Sequence, residues 1–161
     1  MKRVTTGLFA ALLFSAVPST GEAQVTVGPT LAYDNDLDFG LGVTLGTTLP
    51  SLGEGFGLLA DVLVFFPEGP VNYFEVNAGV TYDFPLEGST VVPYVLGGIN
   101  IARASGEVLG ISFSDTQLGL NLGGGIDFDA GNFRPSVGVR AEVSGGEALV
   151  FFVTLPFQTG G

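Results

Sequence analysis

Histidine, cysteine and tryptophan are absent from this 161-residue chain, and Lys and Arg together number only 5. Without His or Cys there is no thiol nucleophile, no imidazole base, no disulfide framework and no ordinary zinc site. Scarce cations argue against a nucleic-acid surface, whose phosphates need Lys or Arg. What is abundant pulls in two directions. Asp and Glu number 16 and the formal net charge is −11, yet 46% of residues are hydrophobic and the mean hydropathy is +0.50. Charge and apolar surface must therefore be kept strictly apart, in a length that suits one domain.

Lys2 and Arg3 precede an apolar stretch, Leu8 to Val17, followed by Pro18, Ser19 and Gly21-Glu22-Ala23. This layout predicts a secretory signal peptide over residues 1–23, cleaved before Gln24. The stretch is too short for a transmembrane helix, which needs about 20 apolar residues. The remaining domain, 24–161, has no Lys and three Arg (Arg103, Arg134, Arg140). No later apolar run is long enough to span a bilayer as a helix.

Gly and Pro are too frequent for long helices, and a period of two dominates instead. Val137, Val139, Ala141 and Val143 alternate with Ser136, Gly138, Arg140 and Glu142. Leu118, Leu120, Leu122 and Ile126 alternate with Gln117, Gly119, Asn121 and Asp127. The same split recurs over 37–49, with Leu37 and Phe39 opening the apolar set, and over 56–66, where Asp61 opposes Leu58, Ala60, Val62 and Val64. It also holds over 72–84, where Glu75 and Asn77 oppose Phe74, Val76 and Ala78, and over 147–157. Residues 24–33 and 90–104 are weaker members, Gly97-Gly98 being a candidate bulge. Turn residues separate eight strands, at 34–36, 50–53, 67–70, 85–88, 105–107 (Ser105-Gly106-Glu107), 129–132 and 144–146. Every connection is short, which predicts antiparallel hairpins in an up-and-down meander and argues against large protruding hairpins.

The second face is Gly, Thr, Ser and Asn with a few charges, not the Lys/Glu-rich surface of soluble β proteins. Small side chains suit the crowded lumen of an eight-stranded barrel. No apolar-face position in the spanning segments carries a charge on this parity, as lipid would enforce: a midplane charge costs about 2–4 kcal/mol. Aromatics gather at strand ends, Phe56, Phe84, Phe128, Phe133 and Phe157 at one rim and Tyr33, Phe39, Phe66 and Phe74 at the other, as interfacial girdles do. The expected fold is all-β, an eight-stranded antiparallel up-and-down transmembrane β-barrel. Pro29, Pro93, Pro135 and Pro156 fall inside strands, where Pro cannot donate to the ladder; Pro29 has no explanation at this level.

Pro93-Tyr94-Val95-Leu96-Gly97-Gly98, Gly119 through Phe128, and Pro135 through Arg140-Ala141-Glu142 resemble the small outer-membrane β-barrel domain family, the OmpA/OmpX-type barrels of Gram-negative bacteria. The resemblance covers essentially all of 24–161. It implies an outer-membrane location, contact with outer-membrane lipid and lipopolysaccharide, and assembly by the barrel-insertion machinery. Family members end in an aromatic after an alternating strand. Phe151 through Phe157 fits, with Gln158-Thr159-Gly160-Gly161 following.

Arg140, Asp61, Glu75 and Glu142 all point inward on this parity, near Asn77 and Asn121. Two readings suit them: a buried salt-bridge and hydrogen-bond plug, or a gated ion path through the same charges. Asp34-Asn35-Asp36-Leu37-Asp38 spaces its oxygens like the start of a calcium loop, but Phe39 and Leu45 stand where an EF-hand needs Gly and Glu. A solvated acidic hairpin is expected there. Gly55-Phe56-Gly57-Leu58-Leu59-Ala60 matches a dinucleotide fingerprint without its strand–helix context. No Ser/His/acid triad can be built, so no enzyme activity, cofactor or metal is expected. The expectation is a monomeric integral outer-membrane barrel with a structural or surface-interaction role, its lumen plugged by side chains. Arg103, near the outer rim, is a candidate lipopolysaccharide contact. The alternatives are a narrow passive channel and a soluble exported lipocalin-like binding barrel.

Overall fold

The computed structural model describes residues 24–161 except Pro70, Leu109, Gly110, 144–146, Gly160 and Gly161. The expected signal peptide and the turn at 144–146 lie outside the described residues. The strands are β1 (Val25–Asp34), β2 (Asp38–Thr48), β3 (Phe56–Phe65), β4 (Val71–Asp83), β5 (Val91–Val108), β6 (Ile111–Phe128), β7 (Ser136–Val143), β8 (Glu147–Thr154) and β9 (Phe157–Thr159). Each of the first seven pairs antiparallel with the next, and β1 pairs with β2 on one side and β8 and β9 on the other. The sheet closes on itself as an eight-stranded barrel, because β9 continues β8 in one register against β1. Closure leaves no edge at the seam.

Alternation sorts the side chains. Val137, Leu120 and Leu122 point outward at 49%, 64% and 72% exposure, while Gly138, Arg140, Asn121 and Glu142 on the same strands are buried. Two outward expectations need correction. Leu37 lies in the β1–β2 turn and packs against the inner cluster. Arg103 and Glu107 are exposed on the outward side of β5, so that face does carry charge, at its upper end beyond the last outward apolar pair.

The interior is also less uniformly small than expected. Ala32, Leu63, Phe65, Tyr94, Leu96, Val150 and Phe152 form a buried apolar cluster inside the barrel. Glycines on neighbouring strands make the room: a Cβ on Gly40 would strike the Phe65 ring, and one on Gly138 the Phe152 ring.

β5 and β6 depart furthest from expectation. Ser105-Gly106-Glu107 is not a turn, since Ser105 pairs with Asn72 and Ser114, and the ladder runs on to Val108 opposite Ile111. Gly97-Gly98 is not a bulge either, its pairing being unbroken against both β4 and β6. The two 18-residue strands make a long hairpin that rises past β7, contrary to the expectation of short connections throughout.

Pro29 finds its explanation at the seam. It falls in register with Leu155, between Thr30 opposite Thr154 and Val27 opposite Phe157. Its carbonyl accepts the Leu155 N–H at 3.0 Å; the reciprocal bond is missing because Pro has no N–H. Pro156 likewise cannot donate toward β7 but accepts from the Arg134 N–H at 3.2 Å. Gly28 is obligatory beside them, since a Cβ there would collide with the Leu155 and Pro156 backbone.

Aromatic pairs mark both rims. Tyr33 and Phe39 meet at 5.1 Å on one, and Phe56, Tyr82 and Phe84 stack edge-to-face at 4.9 Å on the other, where Phe133 also meets Phe157 at 5.0 Å.

Candidate functional site

The barrel positions its inward charges from facing strands at one level. Arg140 on β7 is 2% exposed. Its Nη1 donates to Asp61 on β3 at 2.9 Å, its Nη2 to Glu75 on β4 at 3.0 Å, and its Nε to Glu142 on its own strand at 2.6 Å. The Arg140 guanidinium carbon also lies 5.7 Å from the centre of the Phe152 ring, within cation–π range.

Asn77, in register with Asp61, ties the carboxylates together. Its Nδ2 donates to Asp61 at 2.7 Å and to Glu75 at 2.5 Å, and its Oδ1 accepts from Asn121 at 2.5 Å. The structure thus brings all six inward candidates into one connected set. Sequence reasoning missed Asn100, fully buried on β5, whose Nδ2 donates to Glu142 at 3.1 Å. Its signal was there to find: Asn100 shares parity with Tyr94, Leu96 and Gly98. Three buried acceptors, Glu75 Oε2, Asn100 Oδ1 and Asn121 Oδ1, have no hydrogen-bond donor among the described residues. Chemically the set is a cross-barrel tie, one guanidinium holding carboxylates of β3, β4 and β7.

Toward the rim bearing Val25 and Phe157, a cavity of about 500 Å³ opens, lined by Thr44, Thr81, Tyr94, Phe152 and Thr154 among others. Thr30 bridges Thr44 and Thr154 at 2.5 and 3.0 Å. Arg134 pairs with Asp83 at 2.8 Å and Asp127 at 3.1 Å near that mouth.

The remaining candidates lie elsewhere. Arg103 stands apart from the network, facing out between Phe74 and Thr116, with no ion pair among the described residues. In the acidic turn Asp34 Oδ1 accepts from the N–H groups of Asp36 and Leu37, and Asn35 Oδ1 from that of Leu149. The Asp34 oxygen serves the turn itself, and the Asn35 oxygen ties the turn to β8. Gly55 sits in a tight turn at φ +88° and Gly57 inside β3, with no helix following.

No family model and no curated protein matches the sequence. Solved structures do match its fold. The N-terminal β-barrel domain of Pseudomonas aeruginosa OprF superposes with a TM-score of 0.72 at 14% identity, over 84% of this chain and 97% of that one. Neisserial surface protein A gives 0.67 at 16% identity, over 85% and 97%. A major outer membrane protein of Thermus thermophilus gives 0.66 at 15% identity, over 86% and 100%. The fold is that of the eight-stranded outer-membrane β-barrels. In such a barrel the outward belt is the surface that meets hydrocarbon, and the Arg140 set lies in the lumen.

Proposed function

We propose that the protein is an integral outer-membrane β-barrel with a structural or surface-interaction role, its lumen plugged by the Arg140 network. The observation that carries this reading is the segregation of the two faces over the apolar belt: among the described residues, exposed Leu, Val, Ile and Phe lie outside and every buried charge is tied to a partner inside, while the outward charges Arg103 and Glu107 stand beyond the belt. In water, so large an apolar surface would be an aggregation site, which disfavours the soluble lipocalin-like alternative. In hydrocarbon it is the stabilising surface.

The β5–β6 hairpin shows where the belt ends. Ile101 opposite Leu118 is the last outward apolar pair; beyond it come Arg103–Thr116, Ser105–Ser114 and Glu107–Ser112. Arg103 therefore stands at headgroup level, where a guanidinium suits a lipopolysaccharide phosphate. The barrel is read as a monomer inserted by the barrel-insertion machinery. Adding lipopolysaccharide to the detergent-solubilised barrel is expected to raise its melting temperature, and Arg103→Ala to reduce that rise; an equal rise in both overturns the contact.

Conductance in planar bilayers tests the plug. A closed lumen predicts no current above the bare bilayer after insertion. A steady unitary conductance would favour the narrow passive channel instead.

A further inference from the structure

The Arg140 set is short of positive charge. Asp61, Glu75 and Glu142 carry three negative charges between them against the single positive charge of Arg140, and all four residues are at most 4% exposed. Arg134, the other cation on the inner side among the described residues, is committed to Asp83 and Asp127 at the mouth. Two negative charges therefore stay uncompensated in a dry space, where a buried carboxylate is costly. The hydrogen bonds point the same way. The side-chain atoms of the set that lack a partner among the described residues are Glu75 Oε2, Asn100 Oδ1 and Asn121 Oδ1, all acceptors. Their residues stand on three consecutive strands, β4, β5 and β6.

These oxygens lie where the missing charge is needed. The Glu75 and Glu142 carboxyls come within hydrogen-bonding reach of each other, although a carboxylate has no hydrogen to give. Asn100 Oδ1 belongs to the amide that donates to Glu142, and Asn121 stands in register with Glu142. Neither amide can turn round to cure the shortage. Reversing Asn100 would set its oxygen against Glu142, and reversing Asn121 would set its oxygen against Asn77 Oδ1. A proton would serve the Glu75–Glu142 contact and leave both amide oxygens without a donor. A water would serve the amides and bring no charge. A divalent cation answers both needs, with two carboxylates and two amide carbonyls as hard oxygen ligands. So irregular a set suits calcium better than magnesium, which demands a near-ideal octahedron.

We propose that the lumen network binds one calcium-class divalent cation, held by Glu75, Glu142, Asn100 and Asn121, as the second cation of the Arg140 set. With it the set is neutral. The way in is from the rim bearing Val25 and Phe157. A cavity of about 10 Å³, the size of a single water, lies beside the set against Asp61, Asn77, Asn121 and Arg140, and Leu59 lines both it and the mouth cavity of about 500 Å³. The proposal rests on the side-chain geometry, and neither on the membrane location nor on a closed lumen. A conducting barrel would leave it intact.

The test strips the detergent-solubilised barrel with a chelator, exchanges it into choline chloride and titrates calcium chloride. Uptake is read by calorimetry, and stability as the temperature at which folded gel mobility is lost. The parent is expected to take up one ion that Glu75→Gln does not, with a midpoint rise of several degrees, because a ligand that binds only the folded state stabilises it. Magnesium is expected to raise it less. Glu75→Gln removes a ligand and one uncompensated charge, so without calcium its midpoint is expected at or above the parent's, with almost no gain when calcium is added. Asn121→Asp adds a charged ligand; it is expected to lie below the parent without calcium and to gain more from it, and it decides the matter if Glu75→Gln does not fold. No rise in the parent, an equal rise on sodium chloride at matched ionic strength, a full rise in Glu75→Gln, or a response of Asn121→Asp equal to the parent's overturns the inference.

Discussion

Among the described residues, Arg140 is the sole cation facing Asp61, Glu75 and Glu142, in a space where none of them is more than 4% exposed. Removing one partner of a buried ion pair typically costs about 3–5 kcal/mol, because the charges left behind stay buried. Arg140→Met is therefore expected to lower stability by about that much, read as a fall in the temperature at which folded gel mobility is lost; an unchanged midpoint would show that the network does not hold the barrel. Phe65→Ala is expected to cost about 3–5 kcal/mol as well, through the cavity left in the inner cluster. The charged residues were legible because each interrupts a face of Gly, Thr and Asn. Leu63 and Phe65 were not, because β3 is apolar on both faces and its period is flat there. The glycine that admits Phe65 is Gly40, on the neighbouring strand, and a pairing across strands is invisible within either segment.

At the scale of elements, the barrel closes through a seam with a gap in its ladder at Pro29. The Pro29→Val substitution supplies the missing N–H opposite Leu155 and is expected to stabilise by about 0.5–1.5 kcal/mol, the net worth of one hydrogen bond. Equal or lower thermal midpoints for the variant would contradict this account of the seam. Strand existence and parity were legible over the apolar belt, where lipid on one side and lumen on the other impose alternation. Alternation fades in the β5–β6 hairpin above Arg103, where Ser105, Ser112, Ser114 and Thr116 meet water on the outward side. Ser105-Gly106-Glu107 there carries the residues of a turn, yet its pairing to β4 and β6 makes it strand. The rule that fits the spanning part fails where the solvent changes.

For the whole molecule, the central claim is that one side of every membrane-spanning strand segment faces hydrocarbon and the other the barrel lumen. The cysteine-free chain allows a direct test, with single cysteines placed along residues 118–128 of β6, spin-labelled and reconstituted in lipid vesicles. Collisions with oxygen, which concentrates in the hydrocarbon, are predicted to oscillate with a period of two, peaking at Leu118, Leu120, Leu122 and Ile126 and falling at Asn121, Gly123 and Gly125. Peaks at the odd positions, or no oscillation at all, would contradict it.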